Sequence, residues 1–282
     1  MTPVPNTQNR WATRSFVFLL RAGVRHPSIL WQFFLANARY NLIKRGRLSG
    51  AAKHVKDVRT AFEENAAKGQ FKELFFDMAD MNIVQWCDTF SKVFDRADPI
   101  DILEIGSWEG RSTLFLLTYF TQANLTAVDT WAGSDEYHYN ATSDLRDLEA
   151  RFDTNLAPCA PRMSKRKGSS LHVLPQLLDE GRQFDLIYVD GSHFADDVLT
   201  DGITAWRLLK EGGVLIFDDF LWPCYVRARA NPHWPISVLL KYHAREYKVL
   251  NAHSQLIVQK RKSFVDHVTT ELEGVQFGDS QG

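Results

Sequence analysis

The 282-residue chain is poor in cysteine. Cys87, Cys159 and Cys224 lie far apart, with none of the spacing of a metal or redox motif. So few, and an odd number, excludes a disulfide scaffold and fits a reducing compartment, so a cytoplasmic location is expected. Long hydrophobic runs are missing too. Phe16 to Leu20 is five residues and Arg21 ends it, far short of a transmembrane helix. Arg10 and Arg14 precede this run, but no small-residue cleavage site follows, so no signal peptide is expected. The start also lacks acid: residues 1–60 hold eleven Lys/Arg and one acid, Asp57, in a chain of net charge −1. Such an arm suits an anionic membrane, a nucleic acid or an acidic face of the same protein, or is simply a solvated helical face. No base-reading motif accompanies it, which argues against nucleic acid as a partner.

What the chain does hold is material for a core, with 45% hydrophobic residues. Residues 1–98 read as a helical extension or cap: one well-buried helix from Pro27 to Leu42, then helices at 55–65 and 71–94. From Pro99 onward, apolar runs alternate with helical stretches at the spacing of βαβ units, which predicts an α/β domain over 99–262 and a polar tail over 263–282. Strands are expected at 100–105, 124–130, 169–174, 184–190 and 212–219, with 247–252 and 254–260 as an antiparallel pair at the sheet edge. Helices fit at 111–122, 143–156, 174–180, 195–209 and 235–244. Open parallel sheets bind ligands beyond the carboxyl ends of their strands, and the chemically interesting residues fall there.

The stretch DILEIGSWEGRST (101–113) is strand, tight turn and helix start. Gly106 and Gly110 permit the turn, while Ser107, Arg111 and Ser112 surround the exposed helix amides. The stretch is not GxGxxG. Trp108 and Glu109 make it a poor pyrophosphate cradle, which weakens a nicotinamide oxidoreductase reading, whereas Glu104 suits a positively charged or amine-bearing ligand. Asp129 ends the next strand, where an acid accepts both hydroxyls of a ribose or serves as a turn or cap carboxylate.

Asp190 and the pair Asp218–Asp219 are separated by the length of one strand–helix–strand unit. If their strands are parallel neighbours, three carboxylates converge at one rim. Like charges so close raise each other's pKa unless a cation is present, and Mg²⁺ with oxygen ligands is the natural one. The alternative is that Asp218 caps a turn and Asp219 faces solvent. His193, three residues after Asp190, titrates in the range useful to a base. Asp196, Asp197 and Asp201 read as helix-start residues, and Lys210 to Gly213 as a helix stop and tight turn. In the loops 131–140 and 220–235, Trp131, Tyr137, Tyr139, Trp222, Tyr225 and Trp234 either wall a sugar or flat aromatic or pack against the cap. Arg227 and Arg229 would add an anion contact, and His138 and His233 are alternative bases.

Taken in order, LEIGSWEG, AVDTW, FDLIYVDGSH and GGVLIFDDF resemble the class I S-adenosylmethionine-dependent methyltransferases over about residues 99–260. The combination is similar to the branch of metal-dependent O-methyltransferases of macrolide sugars and other secondary metabolites. The resemblance implies a Rossmann-like sheet, mostly parallel with an antiparallel edge strand. It implies S-adenosyl-L-methionine and Mg²⁺ as cofactors, and methyl transfer to a hydroxyl of a small polyhydroxylated acceptor such as a sugar or glycoside. By position it implies Glu104, Gly106 and Ser107 near the methionine part, Asp129 at the ribose, and Gly168, Ser169 and Ser170 near the adenine. Gly110, Ser112 and Thr130 complete the cofactor set; Asp190, also beside the methyl donor, holds the metal with Asp218 and Asp219, and His193 is the general base. A catechol-like acceptor and a non-catalytic cofactor-binding scaffold stay open, as do homo-oligomer or peripheral membrane contacts through the N-terminal helices.

Overall fold

Apolar runs that cannot leave their backbone groups unpaired line up into one seven-stranded sheet. The computed structural model describes residues 5–73, 80–133, 144–223 and 225–261, with side chains from Trp11 onward. Strands β1 (Asp101–Ile105), β2 (Asn124–Asp129), β3 (Met163–Lys167), β4 (Phe184–Val189) and β5 (Leu209–Phe217) run parallel, and β6 (Tyr247–Ala252) and β7 (Leu256–Lys260) form an antiparallel pair. The order is β3-β2-β1-β4-β5-β7-β6, with β7 antiparallel to β5. Strands β1 and β4 lie at the centre and are buried on both faces, as in a sheet covered on both sides. Helices α5 (Arg111–Tyr119), α6 (Leu148–Leu156), α7 (Ser170–Asp179), α8 (Ala195–Leu208) and α9 (His233–Tyr242) follow the strands. The expected Rossmann-like sheet with its antiparallel edge is therefore what forms.

One strand is not where the apolar pattern puts it. SSLHVL (169–174) opens helix α7, whose buried Val173, Leu174 and Leu177 follow helical spacing, and the strand lies earlier, in MSKRK. An edge strand pairs on one side only and needs no apolar run; charge along it blocks unwanted pairing. Lys165 and Lys167 bind Glu149, and Arg166 binds Glu180. Lys210 to Gly213 likewise lie inside β5, where the register to β4 shifts and Gly212 takes φ +79°.

The front of the chain forms α1 (Pro5–Arg25), α2 (Pro27–Lys44), α3 (Ser49–Ala66) and α4 (Asp80–Phe90). Of the expected 71–94 helix, residues 71–73 are not helical and 74–79 lie outside the described residues. These helices serve both faces of the sheet. Leu19, Ala22 and Ile29 join the core under α7, α8 and α9, while Ile43, Val58 and Phe62 join the core under α5. Helix α2 is not buried all round: Ile29, Ala36 and Ile43 face inward, and Trp31, Phe34 and Leu35 face solvent. Part of the basic arm meets acids of the same protein. Arg39 grips Asp88 in a two-pronged pair, and Lys44 and Arg59 converge on Asp80.

A buried ion pair fixes the first turn. Arg151 and Glu109 meet at 2.7 Å, both almost wholly excluded from solvent, and the second Glu109 oxygen accepts the backbone N–H groups of Lys72 and Glu73. Removing one partner leaves an uncompensated buried charge, so Arg151→Met should lower unfolding free energy by about 3 kcal/mol or more, read by urea denaturation.

Candidate functional site

The turn after β1 depends on a close backbone approach as well as on its side-chain ties. Gly106 has φ +87°, and a Cβ there would lie 1.9 Å from the carbonyl oxygen of Asp190. Only glycine lets the two strand ends approach that closely. Trp108 also takes a positive φ, and its N–H donates to one Asp129 oxygen at 2.8 Å while the N–H of Trp131 donates to the other at 2.6 Å. These amides, with those of Ser107 and Thr130, aim the second-strand carboxylate at the turn. Burial nevertheless raises its pKa above the ordinary carboxylate value.

Above these strand ends lies a cavity of about 640 Å³, in the size range of a cofactor or small-molecule site. Gly106, Ser107, Ser112, Asp129 and Thr130 line one part of it, Gly168, Ser169 and Ser170 another, and Asp190, His193, Asp218 and Asp219 a third. Glu104 and Gly110 stand behind this wall. A Cβ at Gly110 would strike Leu156 at 2.1 Å, so that glycine serves helix packing. Glu104 is fully buried and takes hydrogen bonds from the hydroxyls of Ser112, at 2.5 Å, and Thr113, which ties β1 to the first turn of α5.

The rim opposite carries the acids. The N–H of Asp190 bonds to the Ile105 carbonyl and that of Asp218 to the Val189 carbonyl, so the ladder of β1, β4 and β5 runs one step past the strands and sets both acids side by side. The Tyr188 hydroxyl lies 2.8 Å from Asp190 and also bonds Asp218. A phenol has one proton, so it serves both carboxylates only when one of them is itself protonated. Burial first, then the neighbouring carboxylates, pushes Asp190 well above the usual range and Asp218 up to about 6. Gln255 donates to Asp218 at 3.0 Å and accepts from the Trp86 indole at 2.6 Å, which carries the chain of hydrogen bonds back to α4. Neither Tyr188 nor Gln255 was singled out from sequence. A lone phenol in an aliphatic strand was a signal; Gln255, in a short turn, gave none.

Asp219 has φ +52° and points away from its neighbour, toward His193, whose Nε2 lies 2.5 Å from Asp219 Oδ2. Among the described residues, Asp190, His193 and Asp219 offer ligand atoms within 4.8 Å of one another. Two carboxylates and an imidazole suit a hard or borderline divalent cation that keeps several waters. The expected metal set, Asp190, Asp218 and Asp219, differs by one member: here Asp218 is occupied by Tyr188 and Gln255.

An aromatic cluster backs His193 outside the cavity lining. Trp222 packs on its ring at 4.6 Å, Tyr225 meets Trp222 edge-on, and Phe194 stacks on Tyr225. Other expected site residues are elsewhere. Trp131 is buried against Phe152, with its indole on the Trp108 carbonyl. Trp234 takes the Arg25 and Arg229 guanidinium groups on its face, and Arg227 does not line the cavity. His233 is buried beneath Phe18 at 4.0 Å, where burial and then Arg21 and Arg25 lower its pKa to about 4. Asp201 lies a turn inside α8, buried below Gly191, unlike Asp196 and Asp197 in the first turn. Tyr137, His138, Tyr139 and Cys224 fall outside the described residues.

Burial raises the Glu104 pKa to about 7. Folding thus favours its neutral form: the contribution to stability is full below the unfolded value near 4.5 and is lost as pH rises through about 7. Glu104→Gln removes this titration. Between pH 5 and 8 the variant should gain on the parent by up to about 3 kcal/mol, read as a widening gap between their thermal melts.

Residues 103–220 match a family model described as a methyltransferase domain. Among curated proteins, O-methyltransferase hkm8 of Aspergillus hancockii is 32% identical over 43% of this chain and 43% of its own length. Caffeoyl-CoA O-methyltransferase 1 of Eucalyptus globulus is 33% identical over 31% of this chain and 35% of its own. Each match therefore spans less than half of the relative. Among solved structures, the MycE methyltransferase from the mycinamycin biosynthetic pathway, in complex with Mg, SAH and mycinamycin VI, superposes with a TM-score of 0.48 at 17% identity, covering 74% of this chain and 55% of that one. Residues 103–220 are thus similar to a methyltransferase domain, and they carry the parallel core of a Rossmann-like sheet.

Proposed function

We propose that this chain is an S-adenosylmethionine-dependent, Mg²⁺-assisted O-methyltransferase acting on a hydroxyl of a small polyhydroxylated acceptor, a sugar or glycoside. The observation that carries the reading is one continuous cavity bounded by the glycine turn and Asp129 at one side and by Asp190, His193 and Asp219 at the other. The residues fit both groups. The turn is open only because Gly106 lacks a side chain, and burial beside other carboxylates raises the proton affinity of Asp190, which a cation would offset. In this reading Gly106, Ser107, Asp129, Thr130 and Gly168 to Ser170 hold the cofactor, while Asp190 and Asp219 hold the ion.

When bound, S-adenosylmethionine supplies an electrophilic methyl group and the cation lowers the pKa of an acceptor hydroxyl. The chain supplies position and a proton acceptor. Asp219 engages one imidazole nitrogen of His193 and so fixes which nitrogen accepts a proton. Tyr188 holds Asp190 and Asp218 in place, and Trp222, packed on the His193 ring and braced by Tyr225, keeps that imidazole oriented. A catechol-like acceptor is the second reading, because vicinal hydroxyls on a flat ring would reach the same cation held by Asp190 and Asp219.

Titration calorimetry with S-adenosylmethionine, with and without Mg²⁺, should show cofactor binding; its absence sinks the proposal. EDTA should suppress methyl transfer, and an unchanged rate would remove the metal alone. Labelled methyl donor offered with free glycosides, nucleotide sugars and catechols separates the acceptor classes, and label on none of them would favour a scaffold. His193→Ala should lower turnover on the order of 10²-fold or more while cofactor affinity stays within about twofold. Equal turnover would exclude His193 as the base.

A further inference from the structure

The N-terminal hairpin turns apolar side chains to solvent on both of its helices. On α1, Phe18, Leu19 and Ala22 face the core. Phe16, Leu20 and Val24 recur every four residues on the opposite side, 54%, 42% and 83% exposed. On α2, Trp31 and Phe34 are 67% and 61% exposed, opposite Ile29, Ala36 and Ile43. Isolated exposed apolar residues need no explanation, but stripes at helical spacing do.

Charge identifies what covers them. The sequence contains no Asp or Glu before Asp57, and α1 carries Arg10, Arg14, Arg21 and Arg25. At 100° per residue, Arg21 and Arg25, both exposed, fall on one side of the helix beside the Phe16–Leu20–Val24 stripe, while Arg14 on that side turns its guanidinium to the protein. The acids that meet Arg39, Lys44 and Arg59 belong to α4, so they answer the later part of the basic arm only. A second copy docked face to face would set this arginine-rich surface against itself. An anionic bilayer complements it, with apolar stripes in the boundary between headgroups and acyl chains and arginines at the headgroups. No described helix is long and apolar enough to cross a membrane, so the contact lies in the plane of the surface.

We propose that the α1–α2 hairpin is a peripheral docking surface for anionic phospholipid membranes. The surface is coupled to the candidate site. Ser15 donates to the Leu221 carbonyl at 2.8 Å, and Arg14 donates to the carbonyls of Tyr225 and Val226. The docking helix is therefore anchored on the loop that carries Trp222.

Co-sedimentation of the full chain tests this, with vesicles of phosphatidylcholine alone and with about 30% phosphatidylserine. The anionic vesicles should bind on the order of tenfold more protein, and raising salt from about 0.1 to 0.5 M should abolish the difference. Leu20→Ser with Val24→Ser, and separately Trp31→Ser with Phe34→Ser, should each reduce binding about tenfold with unchanged circular dichroism melts. Arg21→Gln should weaken it by roughly fivefold. Equal binding to both vesicles, or none to either, overturns the proposal. So does a dimer in light scattering that Leu20→Ser with Val24→Ser dissolves, since that gives the face to a second copy.

Discussion

Three carboxylates share one sheet rim, and most of what surrounds them answers that repulsion. Asp190 and Asp218 are neighbours because β4 and β5 are parallel and in register, and Asp219 follows on the same turn. Without compensation such a cluster destabilises the strand ends that hold it. The compensation has several parts: a phenol between two acids, an amide on a third side, an imidazole on Asp219, and a raised proton affinity at Asp190. Together they keep the cluster folded while leaving it able to exchange protons for a cation.

The helical front end belongs to this arrangement. Trp86 reaches the acids through Gln255, and helices from the first 66 residues complete the core on both sheet faces. Asn82 and Glu73 line the cavity from the same region. The extension is thus built into the domain, and the basic arm divides between ion pairs with α4 and a surface still facing solvent.

Much of the scaffold was legible from sequence because it follows local rules. Strands buried on both faces read as apolar runs, and Asp190, Asp218 and Asp219 could be brought together from the length of one βαβ unit. Edges break those rules: β3 is MSKRK, with no apolar pattern to mark it, while the next helix carries the apolar residues that imitate a strand. Side-chain direction was also hidden. Spacing placed Asp218 and Asp219 on the rim, but only the left-handed backbone at Asp219 sends one toward His193 and leaves the other to Tyr188. Long-range partners such as Gln255 and Arg151 carry no local signature at all.

Gln255 has a consequence for how portable the domain is. The segment that matches the methyltransferase family stops at residue 220, yet the donor on Asp218 comes from beyond it and the indole behind that donor from before it. Grafted alone into another chain, residues 103–220 would bring the acids without part of the network that restrains them. The supports of this acid rim lie outside the segment that matches the family.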